Sequence, residues 1–209
     1  MSRRRAGGAA QKRRLDRSHT HRREILILTE GRLTEPDYIK HLFRKHRNQI
    51  LVTIDDFHGT PLRLVEEAIN RRQQDERDQS RGRGRARDEY WCLFDHDEHP
   101  HLDEAFASAA DNGICIAFSN PCIELWFLLH FEDQTGHIER RDAQGESERL
   151  LKCGKQLTPQ ALEALDGSFG DAKSRALQLD DWHEGDGSPP RSNPSSSVWA
   201  LVERIADGG

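Results

Sequence analysis

Glu89-Tyr90-Trp91-Cys92-Leu93-Phe94-Asp95-His96-Asp97-Glu98-His99 is the stretch whose reading decides the fold. Its first half, with Tyr, Trp, Leu and Phe in a short run, reads as a buried strand. Its second half turns abruptly to acids and histidines. Asp95 and Asp97 therefore stand at the carboxyl end of a strand, where open α/β sheets place their ligands. One residue apart on an extended backbone, the two carboxylates point the same way. Left unpaired they repel, so the pair suits a hard divalent cation. By itself an Asp-x-Asp pattern reads more simply as a solvated acidic loop, so the rest of the chain must decide.

Working outward, Glu24 to Thr29 is a run of consecutive branched apolar residues, a buried strand that ends in Glu30-Gly31. A helix follows. Thr34 is its expected N-cap, Pro36 fits its first turn, and Glu35 and Asp37 complement its positive end. Tyr38, Ile39, Leu42 and Phe43 form its apolar face. Ile50 to Ile54 is a second strand, ending at Asp55-Asp56. Pro61 opens a second helix through Leu64, Val65, Ala68 and Ile69, which runs out into the charged segment Arg71 to Arg77.

Beyond the central strand, Leu102 to Ala110 is a helix of small residues closed by Asn112-Gly113. Ile114 to Phe118 is another strand, leading through Ser119-Asn120-Pro121 into Cys122 to Phe131. That last segment is apolar nearly all round, as a central buried helix would be. Glu124 within it needs a partner or a metal. His130 reads as a satisfied core histidine. The C-terminal third is more polar and more helical, with helices at Ser147 to Leu151, Thr158 to Leu165 and Asp171 to Trp182. A Gly/Pro/Ser loop spans 185–192. Asn193 to Ser197 caps a final helix, Val198 to Ala206, whose apolar face is Val198, Leu201, Val202 and Ile205.

Alternating strands and helices predict an α/β fold with a mainly parallel, doubly wound sheet flanked by helices. One such domain is expected over residues 24–206, with the core sheet in 24–135 and a more helical part in 145–206. Residues 1–23 read as a basic disordered arm. Hydrophobic residues make up 34% and charged residues 32% of the 209, so the core is modest and the surface heavily charged. The net charge of −5 excludes a uniformly basic nucleic-acid binder but not a local basic surface. Arg22 and Arg23 of the arm, and Arg81, Arg83, Arg85 and Arg87 of an Arg/Gly loop, are the candidates for phosphate contacts. A solvated tail accounts for the arm equally well, and a solvated linker accounts for the loop slightly better. Four cysteines without a CxxC pair read as buried free thiols of a reducing compartment. No apolar h-region follows the Arg-rich N-terminus and no apolar run is long enough to span a membrane, so a soluble, cytoplasmic protein is expected.

Three acidic places fall at carboxyl ends of strands: Glu30, Asp55-Asp56 and Asp95/Asp97. A Glu-Gly after the first strand with an Asp-x-Asp after a later one resembles the Toprim domain, the catalytic module of topoisomerases, primases and OLD-type nucleases. A closer resemblance is to the RloB-like family, small Toprim-like proteins associated with bacterial restriction and defence loci. It is carried by Thr29-Glu30-Gly31 with Thr34-Glu35 and Tyr38, and by Phe94-Asp95-His96-Asp97. It is carried further by Ser119-Asn120-Pro121 with Glu124-Leu125-Trp126 and Leu129-His130-Phe131, and by Asn193-Pro194-Ser195 with Val198, Leu201 and Val202. The chain departs from that family at Lys152-Cys153-Gly154-Lys155, which lacks a tyrosine, and at Ser196, where the family usually has Thr.

The resemblance implies a metal-dependent nuclease acting on RNA, tRNA included, or on DNA, as a defence effector with an ATPase partner from the same locus. Asp95 and Asp97 would hold Mg2+ or Mn2+. Glu30 would be a ligand or the acid/base group, and Glu124 a further ligand or a residue that orients one. Lys155 or Lys173 would stabilise charge on the phosphate. A reading from another class is a non-catalytic nucleic-acid-binding or scaffold protein that keeps the fold. A zinc or manganese site built on His96, His99 and His101 ranks lower, because alternation puts His96 opposite the aspartates. A HAD-type phosphatase wants Thr or Val where His99 stands. A topoisomerase would need a tyrosine domain, and the two tyrosines, Tyr38 and Tyr90, both fall in core elements.

Overall fold

The computed structural model describes residues 22–96 and 101–207. The expected arm up to residue 21, and Asp97 with its neighbours through residue 100, lie outside them.

The apolar runs become strands buried on both faces. In β1 (Arg23–Thr29), Ile25 and Ile27 face one helical layer, while Leu26 and Leu28 face the other. In β3 (Glu89–Asp95), Trp91 and Leu93 join the first layer and Tyr90, Cys92 and Phe94 the second. Two-sided burial is what makes such strands read as continuous hydrophobic runs. The sheet has five strands in the order β2-β1-β3-β4-β5, where β2 is Ile50–Ile54, β4 Cys115–Asn120 and β5 Ser195–Ser196. The first four are mutually parallel, and β5 runs antiparallel to β4. The expected α/β sheet is thus present.

The helices segregate by face. Both α2 (Pro61–Ser80) and α3 (Leu102–Asp111) cover one side of the sheet. The other side is covered by α1 (Thr34–His46), the short buried α4 (Ile123–Leu128), and the C-terminal helices. Those are α5 (Arg140–Leu151), α6 (Pro159–Asp166), α7 (Phe169–Asp186) and α8 (Val198–Ala206). Chain order reverses direction between β1 and β3, so a crevice opens above their carboxyl ends. Asp95 continues the Trp91, Leu93 alternation and turns toward the α1/α4 side.

Several local expectations change. Thr34 is the first helical residue of α1 and not its cap: Leu33 occupies the cap position, and the Thr34 hydroxyl donates to the Lys155 carbonyl at 2.8 Å. Both α5 and α7 are longer than their apolar residues suggested. The Asn193–Ser197 segment forms a strand before it reaches α8. Ser195 and Ser196 pair with Asn120 and Ser119, and Ser197 exchanges hydrogen bonds with the backbone of Phe118. A two-residue polar strand has no apolar alternation to betray it.

Candidate functional site

Glu30 is placed by the sheet itself. Its N–H donates to the Leu93 carbonyl at 3.0 Å, and its carboxylate accepts the Asp95 N–H at 3.1 Å. It thereby extends the β1–β3 ladder by one side-chain rung and brings the two acids together across the switch point. The chain then turns at Gly31, whose N–H donates to the Glu35 carboxylate at 3.1 Å. An added Cβ at Gly31 would collide with that carboxylate, so glycine here permits close approach. Glu35 is expected to complement the positive end of α1. It does lie in the first turn, but it is 6% exposed and belongs to the acid cluster. From the opposite wall comes Glu124, buried in the first turn of α4.

These four carboxylates line a cleft of about 280 Å³, together with Arg32, Arg140, Gln144 and Lys155. Asp95 is 7% exposed. Its Oδ2 accepts a hydrogen bond from Arg140 at 3.3 Å, and Arg140 also donates to the Pro121 carbonyl at 3.1 Å. Its Oδ1 is buried and has no hydrogen-bond partner. Burial pushes the Asp95 carboxyl well above the usual range, Glu35 adds to this, and Arg140 opposes it. Glu35 is raised as well, first by burial, with Glu124 contributing repulsion against the lowering effect of its backbone hydrogen bonds. Clustered acids that resist ionisation mark a place that would accept positive charge.

Among the described residues, no three His, Cys, Asp or Glu side chains are spaced to close on a metal ion together. The donor chemistry nevertheless suits one. Hard oxygen donors converge on a single cleft, and an orphaned buried oxygen on Asp95 wants a cation or a donor. A magnesium-like ion needs only one or two carboxylates and keeps several waters.

The remaining candidates are placed as follows. Lys155 reaches the cleft rim, with its backbone fixed by Thr34. Lys173 does not: it pairs with Glu203 and lies over the Trp199 ring. Arg22 and Arg23 sit at the amino end of β1, where they bond the Arg47 carbonyl and Glu89. Arg81, Arg83, Arg85 and Arg87 lie between α2 and the amino end of β3. A seven-residue strand, roughly 23 Å, separates that edge from the acids, and Arg85 and Arg87 are paired with Asp88 and Asp75. None of these six arginines lines the cleft. Asp55 is engaged by Arg71 and the Phe57 N–H, as a loop anchor. His101 pairs with Glu104, and His130 bonds the Trp126 carbonyl inside the core.

Glu35 and Arg140 are the residues that the sequence reading missed. Glu35 carried a signal, because an acid five residues after Glu30 and next to Pro36 must fold back over Gly31 once the helix starts. Arg140 carried none, since it opens a helix whose beginning lacks apolar residues.

Searches of curated proteins and of solved structures gave no match. A family model described as RloB-like protein matches residues 25–205, from β1 through α8. It spans every element that builds the cleft, and the chain accordingly belongs to the RloB-like family.

Proposed function

We propose that the chain is a nuclease that cleaves a phosphodiester of RNA or DNA in the cleft between β1, β3, α1 and α4, with Mg2+ or Mn2+ as cofactor. The observation that carries this reading is the unpartnered, buried Oδ1 of Asp95 within a cleft walled by Glu30, Glu35 and Glu124. When bound there, a divalent ion supplies charge neutralisation on the phosphate and an acidified water. Asp95 and Glu30 would hold it, with Asp97 as a further ligand from the same strand end and Glu124 and Glu35 behind them. Glu30 is fixed by the Asp95 N–H, so its carboxylate is preorganised to hold or move a proton beside the scissile bond. Lys155 and Arg32 face the cleft without carboxylate partners among the described residues and are available for non-bridging phosphate oxygens. Arg140 holds Asp95 in position and keeps part of its charge compensated before the metal arrives.

The test is purified protein with mixed RNA, single-stranded DNA and duplex DNA, with Mg2+, with Mn2+ and with EDTA. Cleavage should require metal and fall by about 10²-fold or more in Asp95→Asn and in Glu30→Gln. Cleavage that survives both substitutions overturns the assignment. The same reading extends to a role in bacterial defence beside an ATPase partner, for which co-purification from the native locus is the direct check.

One observation favours a second reading. Arg140 pairs with Asp95 at 3.3 Å, so a protein cation compensates the aspartate, as it would in a retained scaffold that binds nucleic acid without cutting it. That reading predicts nucleic-acid binding indifferent to EDTA and no cleavage with either metal.

A further inference from the structure

The acid cleft does not end at Lys155. Thr34, Glu124, Gln144 and Lys155 also line a second, narrower recess, and that recess shares Leu157 with a larger groove of about 620 Å³ between α1 and α6. The three depressions follow one another along α1 through shared lining residues, with a recess of only about 30 Å³ in the middle, and together they outline a channel. Its rim carries Arg32 and Lys155 at the acid end, then Lys40 and Arg44, which lie one helical turn apart on the same face of α1. Arg32, Lys155 and Arg44 are exposed and have no carboxylate partner among the described residues. Lys40 is 61% exposed and only loosely paired with Asp37 at 3.9 Å. The groove floor is apolar, from Phe43, Leu157, Pro159 and Leu162. Asp37 on α1 and Glu163 on the far wall also line the groove, and Glu148 lines the recess.

We infer that this channel is the track of a single-stranded nucleic acid, with its phosphates along Lys155, Lys40 and Arg44 and its bases against the apolar floor. Exposed cations along the rim match a polyanionic backbone, and an apolar floor rewards bases that are free to leave a helix. A duplex hides its bases and would meet this floor only with phosphates. The 13 residues of α1 span about 20 Å, room for a few nucleotides leading to the acids. The identity of the polymer rests on the nuclease reading, but the track is tested by binding without metal and so separately from cleavage.

The experiment is fluorescence anisotropy of a labelled mixed-sequence oligonucleotide, as single-stranded RNA, single-stranded DNA and duplex, with the full chain in EDTA over a salt series. Both single strands should bind more tightly than the duplex. Lys40→Ala/Arg44→Ala should flatten the salt slope by about 1.4, since each lost single-strand contact contributes about 0.7. At ~0.1 M salt that is roughly 25-fold weaker binding. Arg81→Ala/Arg83→Ala, at the opposite sheet edge, should bind like the unsubstituted chain. The inference is overturned if the α1 variant keeps full affinity while melting normally, if the duplex binds best, or if no nucleic acid binds at low salt.

Discussion

Removing Arg140 from its contact with Asp95 isolates the electrostatics of the cleft. The pair is asymmetric: the Asp95 side chain is 10% exposed and the Arg140 side chain 36%. Breaking a fully buried pair by deleting one partner costs about 3–5 kcal/mol, because a charge stays buried without compensation. Arg140 is partly solvated, so we expect about 2 kcal/mol for Arg140→Ala. For a chain of this size that lowers the Tm by about 4–8 °C. The amide in Asp95→Asn should be neutral or stabilising, since it removes a carboxylate repelled by Glu35, Glu124 and Glu30. In the Asp95→Asn background, Arg140→Ala should still lose its bond to the Pro121 carbonyl, about 0.5–1 kcal/mol, giving a coupling of about 1–1.5 kcal/mol. Saturating Mg2+ at ~100 times its Kd adds about 2.7 kcal/mol and should rescue Arg140→Ala, but not the double variant. Thermal and urea unfolding at neutral pH, with EDTA and with Mg2+, give all four corners of the cycle. Additive costs, with coupling below about 0.5 kcal/mol, would refute the assignment of Arg140 as the counter-charge of Asp95.

Further predictions concern the frame around the cleft. Gly31→Ala pushes a methyl into the Glu35 carboxylate. It should abolish cleavage and remove the Mg2+-dependent rise in Tm while far-UV circular dichroism stays unchanged. Tyr38→Phe leaves the buried Trp126 indole N–H without the oxygen that accepts it at 2.9 Å, and should cost about 1–3 kcal/mol in urea unfolding. His130 donates through Nδ1 to the Trp126 carbonyl, and burial pushes its pKa down to about 4. The folded state therefore resists a proton that the unfolded chain accepts from about pH 6.5. Its stabilisation is complete above that pH and falls, by on the order of 3 kcal/mol, as the pH drops toward 4. Stability measured across pH 7 to 4 should show a shallower decline in His130→Gln, and an unchanged slope would exclude His130 as the group responsible.

Much of the frame was legible because apolar periodicity survives translation into structure. Glu89 to Asp95 is a strand as read, and Glu24 to Thr29 differs from β1 only by Arg23. Each strand's acid emerges at the edge that the parallel arrangement dictates. The meeting of Glu30 with Asp95 followed from that alone. What stayed hidden depends on contacts between distant segments. Arg140 lies 45 residues from Asp95 and has no pattern around it. The Ser195–Ser196 strand exists because Asn120 and Ser119 offer it an edge. Asn193 belongs to the segment read as a cap and to a family motif, but its amide also bonds both backbone groups of Ile138, fastening the segment that leads into α5. The Arg/Gly loop has a composition that suits phosphate, and the topology places it before the amino end of β3, away from the acid cleft.

The most direct test of the central claim is anomalous diffraction from a crystal of the full chain soaked in Mn2+. The account predicts a peak in the cleft, bonded to Asp95 Oδ1 and flanked by Glu30, with Arg140 drawn away from the aspartate. A cleft without a peak at saturating Mn2+, and with Arg140 still holding Asp95, would contradict it.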